Sequence, residues 1–203
     1  MHNTAILPLF YLPPVGYFSL LQKAGQDFLI EKHEHLVKQT YRNRASIYSP
    51  NGKLDLTVPL VKGAKTHTTM KDVKISYDFN WQRLHWLSLE TCYRSSAYFE
   101  YYEDELSVFY TTRFDYLFDY NLQLLEWLNK KLKLNITLNT TISYEPETGE
   151  GMDFRMAMNP KKADELTDNK PYYQVFEDKH DFLPNLSIVD LLFNQGPQAR
   201  LYL

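Results

Sequence analysis

Residues 41–60 read YRNRASIYSPNGKLDLTVPL, and this stretch predicts a β-hairpin. Asn51-Gly52 is the turn signal, because both residues tolerate the positive φ angles that a tight hairpin turn requires. The second strand has an apolar residue at every other position from Leu54 to Leu60. That alternation is typical of a strand with one buried face.

Two registers of the hairpin are open. A two-residue loop at Asn51-Gly52 pairs Ile47 with Leu56, whereas a three-residue loop, with Pro50 starting a type I turn and the glycine in a bulge, pairs Ile47 with Asp55. Because a slip of one residue moves apolar side chains to the wrong face, the two-residue loop is favoured.

Two arginines stand at the start of the hairpin. In the favoured register Arg42 and Arg44 share one polar face and lie about 7 Å apart, at two strand rises. Two guanidinium groups at that spacing can hold a phosphate or a carboxylate. The alternative is a pair of solvated arginines on a half-exposed sheet, and the residues alone leave both interpretations open.

Size and composition describe a soluble domain with a substantial core. A chain of 203 residues with 44% hydrophobic residues, 16 tyrosines and 12 phenylalanines predicts a ring-rich interior or a ring-lined groove. No repeat or linker divides it, so we expect a single domain over residues 1–203. The net charge of −3 gives no bulk electrostatic case for nucleic acid.

The cysteine count and the N-terminal region indicate the cellular compartment of the protein. The single Cys92 cannot form an internal disulfide, which favours a reducing compartment. The apolar residues 5–18 include three prolines and follow no basic segment, so they predict neither a signal peptide nor a membrane span. We therefore expect a cytoplasmic protein without membrane insertion.

The chain starts with a strand–helix–strand pattern: a strand at 5–11, a helix at 15–23 and a strand at 27–31. Such a unit predicts a parallel pair, and ligands bind at the carboxyl ends of its strands. That places Tyr11, Pro13 and Gly16 on one side of a crevice and residues 31–35 on the other.

The rest of the chain predicts helices at 80–94, 96–110, 115–132 and 187–194, with short strands at 72–76, 135–144 and 172–176. Ser187 and Asp190 have the spacing of a capping box. Residues 145–170 form a polar loop, and a loop of that length is either functional or disordered. The fold class is α/β: a mixed sheet with a strand–helix–strand start, a β-hairpin and several packed helices.

Histidines provide two candidate sites. His33 and His35 would face the same way on a strand and so share a metal, but no third ligand is evident nearby and exposed loop histidines are commoner; no metal is predicted. His85 lies in a helical stripe with Trp81, Ser88 and Cys92. Two interpretations of this histidine are open: a hydrogen-bonded core residue, or a residue of a functional site. Glycine-rich nucleotide motifs and the Gly-x-Ser-x-Gly elbow are absent, and no cofactor is identified.

Taken in order, several segments resemble the WbqC-like family: YLPPVGYF at 11–18, YRNR at 41–44, PNG at 50–52, LTVP at 56–59, and Trp81 with His85 and Tyr93. KPYYQVF at 170–176 and DLLFNQGP at 190–197 resemble a branch of that family from Bacteroidetes-type bacteria. The family's mechanism is unsettled. Its name comes from genes in O-antigen and surface-polysaccharide regions, so the resemblance implies a role in lipopolysaccharide biosynthesis, as a transferase acting on a sugar precursor.

This chain departs from the wider family at two places. The family opens with His-Gln-Pro where this chain has Leu7-Pro8-Leu9, and it has an acidic pair where this chain has Lys32-His33. If those polar residues do chemistry in the family, this branch has lost or moved it.

These observations lead to one functional hypothesis and one rival. The hypothesis is a protein that binds an anionic donor of the nucleotide-sugar or acyl type, with His85 as the acid or base at a pKa near neutral. The expected ligand-binding residues are Tyr11, Gly16, Tyr17, Arg42, Asn43, Arg44 and Trp81. The rival is a non-catalytic ligand-binding or scaffold module. The sequence does not predict the oligomeric state.

Overall fold

The computed structural model describes residues 4–25, 27–61, 68–146, 153–160 and 170–203. The chain starts with the predicted unit: β1 (Ala5–Leu7), α1 (Val15–Ala24) and β2 (Phe28–Ile30). β1 and β2 pair in parallel. Pro14, with its fixed φ, precedes α1, and Gly25 ends the helix with a φ of +70°.

Two further segments extend this parallel pair. Ile6 forms a parallel bridge to Asp153 on one side, and Ile30 forms one to Thr140 on the other. Four chain segments therefore run side by side, and their carboxyl ends meet at one edge. The strand predicted at 135–144 is reduced to this one bridge, held by hydrogen bonds of Ile30 with Asn139 and Thr141.

The hairpin consists of β3 (Arg44–Ser49) and β4 (Gly52–Thr57). Ile47 pairs with Leu54, which is neither of the two expected registers. The loop is Pro50-Asn51, and Gly52 follows with a φ of +93°, because proline suits the first central position of a type I turn and glycine its last. The shift from the favoured register is two residues, so the apolar side chains keep the predicted face.

Four longer helices complete the fold: α2 (Trp81–Tyr93), α3 (Phe99–Thr111), α4 (Leu117–Lys131) and, after the short α5 (Glu177–His180), α6 (Ile188–Gln195). Short 3-10 helices lie at Met70–Asp72 and Gly196–Tyr202. Asn80 caps α2 by accepting a hydrogen bond from the Arg83 backbone. Helices and strands are mixed, so the predicted α/β class is confirmed, with the strands arranged as two separate two-stranded sheets.

Two other predicted strands are wrong. Residues 72–76 contribute only single bridges, from Lys74 and Ile75, and 172–176 form no strand. Of the predicted polar loop, 147–152 and 161–169 lie outside the described residues. Within the part that the structure describes, no helix has both the length and the apolar character needed to cross a membrane.

The C-terminal region packs into the N-terminal half. Ser187 forms an antiparallel bridge with Pro14, and its backbone N–H donates to the Ser46 carbonyl at 2.8 Å. Ser187 caps α6 by accepting from Val189, but the Asp190 side chain points into the core instead of completing a capping box. Ser187 thus contacts residues that lie about 140 and about 170 positions before it in the chain.

Candidate functional site

The structure separates the predicted site residues into three places. Tyr11, Trp81 and His85 come together in the core. Arg42 is buried elsewhere in an ion pair, and Arg44 borders an open pocket. The two arginines and His85, which the sequence analysis assigned to one ligand site, therefore lie in separate surroundings.

The first place is a buried cluster around His85. The Tyr11 hydroxyl lies 3.0 Å from Nδ1 of His85 and 3.0 Å from the Tyr110 hydroxyl. The Trp81 ring packs against the imidazole at 5.0 Å between centroids, and Tyr120 stacks on Tyr11 at 5.8 Å. Tyr11 and Trp81, both expected at the ligand site, thus each contact His85, but they do so inside the core.

Burial sets the protonation of this cluster. Desolvation lowers the pKa of His85 to about 4, and a hydrogen bond to the Thr57 backbone opposes this shift only in part. Burial also raises the pKa of Tyr11 well above its usual value. The imidazole is therefore neutral at neutral pH, in contrast to the near-neutral pKa expected from the sequence.

Gly16 and Tyr17 have their polar groups satisfied within the fold. The Gly16 N–H donates to Oδ1 of Asn185 at 2.9 Å, and the Tyr17 hydroxyl donates to the Pro8 carbonyl at 2.7 Å. Asn185 thus occupies the first turn of α1, where an anionic ligand would otherwise find free N–H groups.

Arg42 is committed to a buried ion pair. Its Nε and Nη2 donate to the two carboxylate oxygens of Glu34 at 2.7 and 2.6 Å, and Nη2 also donates to the Arg155 carbonyl at 2.9 Å. Only 1% of Arg42 is exposed. Burial raises the pKa of Glu34, and the bonds from Arg42 oppose that rise. A guanidinium held in this way is not available to an external anion.

Arg44 borders a pocket of about 440 Å³, here called the Arg44 pocket. Its walls include Lys38, Asn43, Thr57 and Val58. Nε of Arg44 is buried without a hydrogen-bond partner, and among the described residues no carboxylate lies within ion-pair distance of Arg44. Nδ2 of Asn43 is occupied by the Val58 carbonyl at 2.9 Å. The pocket therefore presents two cations and no acidic side chain.

A larger pocket, of about 780 Å³, lies where the parallel segments end, and we call it the strand-end pocket. Its polar walls are His33, Glu34, His35, Asp153 and Arg155, and its apolar walls include Tyr144 and Met156. The carboxyl-end rule applied to residues 31–35 indicated this region, but none of these residues was among the predicted binding residues. The contribution of residues 153–156 depends on a single bridge to β1 that sequence periodicity does not reveal.

Arg155 joins this pocket to the Arg42–Glu34 ion pair, because its backbone carbonyl accepts a hydrogen bond from Arg42. Its Nε donates to Asp153 Oδ1 at 2.9 Å, and its Nη1 lies 3.6 Å from Glu31 Oε2. Glu31 in turn accepts from the hydroxyl of Thr141 and the backbone of His33. Within the described residues, no group of three or more His, Cys, Asp or Glu side chains is placed to hold a metal ion.

Asp190 is a third buried carboxylate, besides Glu31 and Glu34, that the sequence did not indicate as such. It accepts hydrogen bonds from the hydroxyls of Tyr93 and Tyr172, both at 2.7 Å, and from the Gln174 amide at 3.0 Å. Desolvation raises its pKa to about 6 despite these donors. Tyr93 also accepts from the Tyr48 backbone N–H, so the network links α6 to the hairpin.

The part of the chain that the structure describes has a mixed α/β fold, and its pockets include the Arg44 pocket and the strand-end pocket. The chain belongs to the WbqC-like protein family, whose sequence model matches residues 10–160. It is similar to the uncharacterized protein Rv1507c of Mycobacterium tuberculosis, with 27% identity over 231 aligned positions that cover 100% of this chain and 98% of the relative. No solved structure matches the chain.

Proposed function

We propose that the Arg44 pocket binds the anionic part of a small-molecule donor, of the nucleotide-sugar or acyl type. The observation that carries this proposal is the Arg44 guanidinium, which borders a pocket with a buried, unpartnered Nε. A buried donor without a partner is costly, and a ligand oxygen at that position would satisfy it. Lys38 adds a second positive charge on the pocket wall.

The wider role is proposed from the family resemblance. As a WbqC-like protein, the chain would act as a cytoplasmic transferase in bacterial surface-polysaccharide synthesis, and the motifs at 170–176 and 190–197 would place it in the branch from Bacteroidetes-type bacteria. His85 contacts the Thr57 backbone, and Thr57 also lines the Arg44 pocket. His85 thus lies one hydrogen bond away from a residue that lines the proposed donor pocket.

The test is calorimetric titration of the intact protein with nucleotide-sugars and with acyl thioesters of coenzyme A. We expect one of these classes to bind, and Arg44→Ala to weaken that binding at least tenfold. Arg83→Ala is the matched control, because Arg83 is an exposed arginine on α2 that borders neither pocket. Binding that survives Arg44→Ala unchanged would place the ligand elsewhere.

A non-catalytic binding module is the second candidate, and two observations favour it. His85 is shut inside the core with a hydrogen bond to Tyr11, and Arg42 is neutralised by Glu34. The test is to incubate a ligand that binds at Arg44 with acceptor sugars for a prolonged time. Recovery of the unchanged ligand, from wild type and from His85→Gln alike, would support this candidate against the transferase.

A further inference from the structure

The strand-end pocket has the location of a ligand site that is independent of Arg44. It lies where the parallel segments β1, β2 and the bridged residues Thr140 and Asp153 end, and crevices at the carboxyl ends of parallel strands are the usual ligand sites of such units. The same short segment separates the two pockets: His35 and Val37 line this pocket, whereas Leu36 and Lys38 line the Arg44 pocket.

Electrostatics distinguish the strand-end pocket from the Arg44 pocket. Its two carboxylates are already ion-paired: Glu34 with Arg42, and Asp153 with Arg155. An anion entering it would meet the Glu34 and Asp153 carboxylates, and a cation would meet the Arg155 guanidinium. The charges therefore favour an uncharged ligand.

Two side chains on the polar wall, His33 and Glu34, have hydrogen-bonding capacity that the fold does not use. Nε2 of His33 is buried without a partner. Each carboxylate oxygen of Glu34 accepts one bond from Arg42, and such an oxygen has capacity for a second. With the proton on Nδ1, the His33 ring accepts at Nε2, and together with Glu34 it then matches a ligand that brings hydroxyl donors.

An oriented aromatic ring, that of Tyr144, gives the pocket an apolar surface. The Arg155 guanidinium lies 4.8 Å from the centroid of the Tyr144 ring, which fixes one face of that ring by a cation–π contact. Half of Tyr144 is still exposed, and the neighbouring Met156 is 64% exposed. The pocket thus combines hydroxyl acceptors with a held apolar platform.

We propose that the strand-end pocket binds an uncharged sugar ring, which stacks its C–H face on Tyr144 and donates its hydroxyl groups to Glu34 and His33. A sugar ring has both surfaces at once, apolar C–H groups on its faces and hydroxyl groups around its edge. This site is separate from the anion site at Arg44 and does not depend on it.

The experiment is saturation-transfer NMR of the intact protein with methyl glucoside, methyl galactoside and methyl mannoside, using inorganic phosphate as the charged probe. We expect at least one methyl glycoside to bind. Tyr144→Ala should weaken it at least tenfold, while Tyr101→Ala, which removes a more exposed tyrosine on α3, should leave it unchanged. His33→Leu removes the free ring nitrogen and should weaken binding without loss of the folded NMR spectrum.

Several results would overturn the assignment: no glycoside binding, binding of phosphate in this pocket in place of glycosides, or glycoside binding that is unchanged in both Tyr144→Ala and His33→Leu. Binding lost in Arg44→Ala but kept in Tyr144→Ala would also overturn it. Because methyl glycosides carry no phosphate, their binding reports on this site alone, and failure of a nucleotide-sugar to bind at Arg44 would leave the assignment standing.

Discussion

Arg42 donates two hydrogen bonds to Glu34 in the core, although Arg44, two residues further along the same chain, borders an open pocket and forms no ion pair with any described residue. Two guanidinium groups that look equivalent in the sequence thus have different surroundings: one is buried in an ion pair, and the other borders a pocket. Arg42 stabilises the fold around the carboxyl ends of the parallel segments, whereas Arg44 is the residue that we propose as the contact for an anionic ligand.

This difference is measurable as stability. Arg42→Ala leaves the Glu34 carboxylate buried and unpaired, and we expect it to lower the free energy of unfolding by about 3–5 kcal/mol. Arg44→Ala breaks no ion pair and should change that free energy by less than about 1 kcal/mol. Urea unfolding of the two variants side by side checks this, and equal losses would contradict the assignment of separate roles.

His85 makes stability depend on acidity in one direction. Its pKa falls from the ordinary 6.5 to about 4 in the folded protein, so the fold favours the neutral ring. The unfolded chain binds the proton more readily, and stability is therefore lost as pH falls from about 6.5 to about 4. His85→Gln removes this dependence. The unfolding free energy of wild type minus that of the variant should rise with pH over this range; a flat difference would show that His85 titrates normally.

Asp190 acts with the opposite sign. Its pKa rises from 3.8 to about 6 on burial, so the fold favours the protonated acid, and this contribution is lost as pH rises from about 4 to about 6. The difference between wild type and Asp190→Asn should therefore fall with pH in the same titration in which the His85 difference rises. Each variant serves as the control for the other, and slopes of equal sign would refute the assigned shifts.

Two glycines should respond differently to alanine. Gly52 has a φ of +93° with nothing within 4 Å of an added Cβ, so Gly52→Ala costs only backbone strain, about 1–2 kcal/mol. At Gly196 the φ is +52° and an added Cβ would lie 2.5 Å from the Tyr98 ring. Gly196→Ala should therefore lower the melting temperature more than Gly52→Ala does, and calorimetry that gives the reverse order would contradict the packing at Tyr98.

Local patterns predicted much of the fold. The cap at Asn80, the helix α4 and the parallel pairing of β1 with β2 follow from signals within a few residues. The hairpin kept its predicted faces, but its pairing moved by two residues, because the preference of Pro50 for the first turn position outweighed the Asn51-Gly52 signal.

The site was less accessible to such reasoning. Tyr11 and His85 were both assigned to the ligand site, and they lie in contact. Their burial, which lowers the pKa of the histidine, depends on rings contributed by α3 and α4. The partner of Arg42 is a carboxylate eight positions upstream that no spacing rule selects. Arg155 enters through a bridge between residues nearly 150 positions apart.

The junction of Pro14 with Ser187 has a consequence for synthesis on the ribosome. Because Ser187 bonds both the segment before α1 and the strand β3, the early part of the chain cannot complete its packing until Ser187 has left the exit tunnel. Nascent chains halted before that point should be open to proteases and chaperones, while chains from which Ser187 has emerged should gain protection.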